Sequence, residues 1–89
     1  MKRIWTDMDS EITIRGEKLT VGEVWDAYVG QQPVADFLNN DPRPIAEQCL
    51  DYANQVPLMF PDGDLPEWTD DDAGTLADAL ERYITYQQS

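Results

Sequence analysis

Six residues near the C-terminus, Ala73, Leu76, Ala77, Leu80, Tyr83 and Ile84, stand at i, i+3, i+4, i+7, i+10 and i+11. At 3.6 residues per turn this spacing gathers them into one stripe of an α-helix and turns the residues between them outward. A chain of 89 residues buries only about 60% of its unfolded surface. Its core is therefore a single layer or a small bundle, and whatever precedes the stripe must cover it. Thr69 with Asp72 three residues on makes a capping pair at the start of this helix. Asp70, Asp71 and Asp72 occupy its first turn, where the helix dipole favours negative charge by roughly 0.3–1 kcal/mol each when exposed.

The covering elements are short. Residues 3–6 and 11–15 read as strands, with Asp7-Met8-Asp9-Ser10 as the turn between them. Ile12-Thr13-Ile14-Arg15 alternates and is rich in β-branched residues. Gly16-Glu17-Lys18 reads as a second turn, after which Leu19 returns briefly as strand. Thr20 and Glu23 form a capping box for a first helix whose apolar face is Val21, Val24, Trp25, Tyr28 and Val29, ended by Gly30. Pro33 suits a first helical position, followed by the short stripe Val34, Phe37 and Leu38. Asp41 is a candidate cap for a third helix carrying Ile45, Cys49, Tyr52, Ala53 and Val56, which Pro57 halts. Residues 57–68 read as a loop pinned by Leu58, Met59, Phe60, Leu65 and Trp68.

The expected fold class is α+β: an N-terminal β-hairpin packed on three or four short helices. The alternative is an all-helical bundle with an irregular N-terminal arm. One acidic domain spans residues 1–89, with 1–19 as the hairpin arm and 20–89 as the helical part. An apolar share of 42% and nine aromatic residues argue against disorder.

Charge is distributed unevenly. The first 18 residues balance four bases against four acids, while residues 19–89 carry fourteen acids against Arg43 and Arg82 alone. The whole net charge of −12 therefore falls after Lys18. Exposed helix faces ordinarily interleave lysine with glutamate, and this chain has no lysine after Lys18. Unpaired carboxylates oppose folding through self-repulsion, so solubility alone does not account for them. A basic protein or nucleoprotein complex is the expected partner. Direct nucleic-acid binding is not expected, since no basic patch exists beyond the small N-terminal one.

Other classes are disfavoured. A single cysteine, Cys49, excludes an internal disulfide and fits a reducing compartment. The N-terminus has a basic start without an apolar stretch, and no run approaches the ~18 apolar residues of a membrane span. A cytoplasmic location and no membrane partner are expected. The chain has no histidine, and its serines are Ser10 and Ser89, so few routes to nucleophilic catalysis exist. No acid stands in an apolar context that suggests a raised pKa. No enzymatic activity, cofactor or metal is expected.

The densest acidic feature is Asp62, Asp64, Glu67, Asp70, Asp71 and Asp72. It reads as solvated loop and helix-start acids, as a contact surface for a cationic partner, or as a metal site. The metal reading fails on spacing. Asp70, Asp72, Asp78 and Glu81 match four positions of a calcium loop, but Gly74 and Thr75 stand where a ligand oxygen and the turning glycine are needed. Further acids lie on outer helix faces: Glu23, Asp26, Asp36, Glu47, Asp51, Asp78 and Glu81. Arg43 can offset Glu47, and Arg82 can pair with Asp78. The candidate partner-binding residues are Asp62, Asp64, Glu67, Trp68, Asp70, Asp71, Asp72, Asp78, Glu47 and Asp51. Trp68 and Tyr86 are candidate interface anchors beside the acids, while the other aromatics read as core.

In size, acidity and lack of catalytic residues the chain resembles the small acidic inhibitors encoded by phages and other mobile elements, of the anti-CRISPR and anti-restriction kind. The likeness covers composition over the whole chain and no aligned motif, so it assigns no residue a role. It implies a nucleic-acid mimic that occupies a cationic groove on a defence or DNA-processing complex. The alternative is a cytosolic adaptor or immunity-type protein that binds a basic partner unrelated to nucleic acid.

Overall fold

A two-residue hairpin loop whose twist matches its strands needs positive φ at both positions. Arg15 (φ 54°) and Gly16 (φ 84°) supply it. In the computed structural model, which describes residues 9–59 and 66–88, this turn joins β1 (Glu11–Ile14) to β2 (Glu17–Thr20). The strands pair antiparallel, with Ile12 opposite Leu19 and Ile14 opposite Glu17. Ile12 and Ile14 face the core while Glu11 and Thr13 face solvent. The hairpin is thus present with a different register from the expected one. Glu17 and Lys18 are strand residues rather than turn, and β1 pairs with the segment that follows it. β2 offers one apolar residue, Leu19, so no alternation marks it. The expected strand at 3–6 lies outside the described residues.

Thr20 ends β2 and caps α1 (Val21–Tyr28). The Glu23 N–H donates to Thr20 Oγ1 at 3.2 Å, and the Thr20 N–H donates to Glu23 Oε1 at 2.9 Å. Val21, Val24, Trp25 and Tyr28 are its buried face. The N–H groups of Val29 and Gly30 both turn back to the Trp25 carbonyl, at 2.8 and 2.9 Å, and Gly30 at φ 83° leads the chain away.

Pro33 is the N-cap of α2 (Val34–Leu38), one position earlier than expected, and Asn39 closes that helix at φ 51°. No residue of α2 is buried. The helix is attached through Phe37, whose ring lies 5.3 Å from Trp25 and 5.1 Å from Tyr52 between centroids.

α3 (Ile45–Met59) directs Cys49, Ala53 and Val56 into the core. Pro57 does not halt it. A proline lacks the N–H that would bond four residues back, so one rung is lost near the end and the helix continues two residues more. Leu58 is 84% exposed and Met59 44%, so neither packs into the core as expected, and Phe60 and Leu65 lie outside the described residues. Asp41 does not cap α3. Its carboxylate accepts the Arg43 N–H at 2.9 Å, and the buried Gln48 amide holds this turn through the Arg43 carbonyl at 2.7 Å.

α4 (Asp70–Gln88) packs against α3, α1 and β1. Leu76, Leu80 and Ile84 are fully buried, joined by Ala73, Ala77 and Ala79. Complete burial of each large aliphatic side chain contributes about 1.5–3 kcal/mol, so the stripe organises the core as its spacing predicts. Trp25 stacks on Tyr83 at 4.3 Å and 11°, and the Tyr52 hydroxyl donates to the Tyr28 carbonyl. These contacts tie α1, α3 and α4 together. No helix among the described residues is long and apolar enough to cross a membrane.

Candidate protein interface

α4 begins with a reciprocal cap. The Asp72 N–H donates to Thr69 Oγ1 at 3.2 Å, while Asp72 Oδ2 accepts from the Thr69 N–H at 3.2 Å and from its hydroxyl at 3.1 Å. Asp72 Oδ1 accepts the Arg15 N–H at 3.1 Å. Both oxygens of this half-buried carboxylate are therefore engaged within the fold. Its neighbours Glu67, Asp70 and Asp71 are exposed and form none of the ion pairs found among the described residues. Asp62 and Asp64 lie outside the described residues.

Trp68 is half-buried against the core. The Arg15 guanidinium lies 5.7 Å from its ring centroid, within the range of a cation–π contact, and Arg15 Nε donates to the Pro66 carbonyl at 3.1 Å. Arg15 and Trp68 together strap the segment before α4 to the hairpin tip. The Trp68 indole N–H is buried without a hydrogen-bond partner among the described residues, so its ring holds this strap by packing.

The remaining acids sort by whether a base answers them. Asp78 pairs with Arg82 at 3.1 Å, one turn on. Arg43 turns to Asp41 at 2.6 Å and to Asp51 at 3.5 Å rather than to Glu47. Its forked hydrogen bonds to both Asp41 oxygens hold the Asp41 carboxyl below the usual carboxylate range. Asp51 and Glu47 are both exposed. Cys49, between them on α3, is buried and has its thiol pushed up to about 12, first by desolvation and then by the Glu81 carboxylate. Glu81 stands eleven residues after Asp70, a rise of about 16 Å along α4. The candidate residues thus form two groups rather than one: Glu67, Asp70 and Asp71 at the start of α4, and Glu47 and Asp51 on α3 beside its later turns.

The described arginines are inward-turned or committed. Arg15 is buried, and Arg43 and Arg82 are held by acids of this chain. Among the described residues only Lys18 is an exposed base outside any ion pair. No acidic side chain among the described residues is buried. Among the described residues, exposed carboxylates therefore far outnumber the exposed bases Lys18, Arg43 and Arg82.

Sequence reading did not find the engagement of Asp72 with the hairpin, because nothing local links residues 15 and 72. It also passed over a groove beside Trp25, Asp26, Tyr83 and Gln87, whose signal in the sequence is limited to the amide pairs Gln31-Gln32 and Gln87-Gln88. In comparisons with protein-family models, curated proteins and solved structures, no match to this chain was found.

Proposed function

We propose that this protein is an acidic inhibitor that occupies the cationic nucleic-acid-binding groove of a defence or DNA-processing complex, acting as a nucleic-acid mimic. The observation that carries this reading is the disposition of the bases. Arg15, Arg43 and Arg82 are engaged within the chain, while Glu67, Asp70, Asp71 and Glu47 are exposed and have no basic partner among the described residues. A fold that leaves like charges unanswered carries self-repulsion, which a basic partner relieves on binding. The stretch of about 16 Å from the start of α4 to its Glu81 turn matches the axial rise of roughly five nucleotides of one strand. Lys and Arg side chains that track a phosphate backbone can meet carboxylates at that scale. Binding of this kind is steered, fast and sensitive to salt.

The test is capture followed by competition. The tagged protein is incubated with lysate at low salt, the retained partner is identified by mass spectrometry, and that partner is then titrated with labelled DNA or RNA. The expected result is mutual exclusion, in which added protein releases the nucleic acid. A partner that keeps its nucleic acid while binding this protein overturns the inhibitor reading and leaves the adaptor or immunity-type alternative.

A further inference from the structure

Two helices with no basic residue in their last turns reach one groove. α1 stops at Tyr28 and α4 at Gln88, and neither carries a basic residue in its last turn. The dipole places roughly half a negative charge at such a helix end, although at α1 the Trp25 and Tyr28 carbonyls are already taken by the Val29 and Gly30 N–H groups and the Tyr52 hydroxyl. Residues from both ends line an open groove of about 590 Å³. Trp25 and Tyr83, whose rings stack on each other, line it together with Asp26, Gln31 and Gln87. Asp26 is exposed and belongs to none of the ion pairs found among the described residues.

We propose that this groove receives an arginine side chain of the protein partner. The inference rests on the function proposed above and names a contact within it. The aliphatic stem lies on the half-buried Tyr83 ring, as the stems of long basic side chains commonly lie on apolar surface. The guanidinium meets the Asp26 carboxylate, and the amide oxygens of Gln31 and Gln87 accept its remaining donors. Arginine has five donors in a fixed fork, whereas lysine presents a compact point charge, so a lining with several acceptors favours arginine. An anion meets carboxylate and carbonyl oxygens here, and an apolar peptide leaves them unpaired. The 19 residues of α4 rise about 28 Å, so the groove lies far from Glu67, Asp70 and Asp71 at the opposite end.

The probe is the peptide acetyl-Gly-Arg-Gly-amide, titrated into isotope-labelled protein and followed by nuclear magnetic resonance. The control peptide carries citrulline, which keeps the shape and loses the charge. The Trp25 indole signal and the side-chain amides of Gln31 and Gln87 are expected to move with the arginine peptide. Citrulline, and separately Asp26→Asn, are expected to weaken that response by about two- to fivefold. Equal responses to both peptides, or an arginine response confined to Glu67, Asp70 and Asp71, overturns the groove site.

A second measurement separates this failure from failure of the inhibitor reading. Asp26→Asn is combined with Ala35→Trp, an exposed change that fills the groove, and tested on the captured partner. Unchanged binding by that variant, with binding lost on charge reversal at Glu67, Asp70 and Asp71, overturns the groove and leaves the inhibitor reading intact. Weakened binding to a partner that retains its nucleic acid supports the groove and removes the inhibitor reading.

Discussion

The backbone N–H of Arg15, at the tip of the hairpin, donates to the Asp72 carboxylate at 3.1 Å across 57 residues of chain. The same carboxylate closes the cap of α4 on Thr69. One side chain therefore fixes where the hairpin meets the helix that carries the core. Loss of an N-cap partner costs about 0.5–2 kcal/mol, and a hydrogen bond to a charged group contributes about 1.5–3 kcal/mol. Asp72→Ala is expected to lower unfolding stability by about 1–3 kcal/mol, while Asp71→Ala, next to it and exposed, changes it by less than ~1 kcal/mol. Urea melts of the two variants make the comparison. Equal losses would show that the hairpin contact adds nothing beyond helix-start charge.

Leu80 is fully buried in the middle of the α4 stripe. Leu80→Ala removes apolar surface and leaves a cavity among close-packed neighbours, and is expected to cost about 2–5 kcal/mol. Denaturant unfolding measures it. A loss under ~1 kcal/mol would mean that the stripe does not form the core.

Burial raises the folded-state pKa of Cys49 to about 12, with Glu81 adding to the shift, and desolvation also raises Tyr28 and Tyr52. All three groups are neutral when protonated. Their unfolded forms therefore lose protons first, and the unfolded state is favoured as pH rises. The contribution of Cys49 is complete below its ordinary value of 9.0 and is lost as pH climbs toward about 12. Stability measured by urea melts should decline as pH rises above 9. Iodoacetamide at pH 8 should label Cys49 only after unfolding. Rapid labelling of the folded protein would contradict the burial of the thiol.

Legibility in the sequence followed the range of the interactions. The α4 stripe and the Thr20–Glu23 and Thr69–Asp72 caps were readable because period and spacing within one helix turn suffice to specify them. β2 was not, since Glu17 and Lys18 are strand residues only by virtue of the turn before them, and the positive φ of Arg15 has no marker in a non-glycine residue. Pro57 was overread: a proline two residues from a helix end removes one bond without ending the helix there. Arg43 was placed on Glu47 by helical spacing. In the structure it precedes α3 and folds onto Asp41, a local turn that spacing along the helix does not describe. The acids of the candidate interface were visible as composition, but their division into two groups and the internal engagement of Asp72 depend on tertiary packing.

The charge-presentation model meets its strictest test at the start of α4. Glu67, Asp70 and Asp71 are exposed and form no ion pair among the described residues, whereas Asp72 belongs to the fold. Replacing the first three with lysine reverses local charge and leaves the cap intact. The helix-dipole interactions of Asp70 and Asp71 are worth roughly 0.3–1 kcal/mol each, so reversing them lowers stability modestly and the fold should persist by circular dichroism. Individual rim charges contribute little, but three reversals facing one basic groove turn attraction into repulsion. Affinity for the captured partner is expected to fall by roughly two orders of magnitude or more. Wild-type affinity should also drop steeply between low and physiological salt, with the triple variant showing a shallower dependence, because fewer charge contacts remain to screen. Binding titrations of both proteins at two salt concentrations measure these effects. Unchanged affinity of the folded triple variant, together with salt-independent binding by the wild type, would remove charge presentation as the mechanism and shift attention to the exposed apolar side chains Leu58 and Met59.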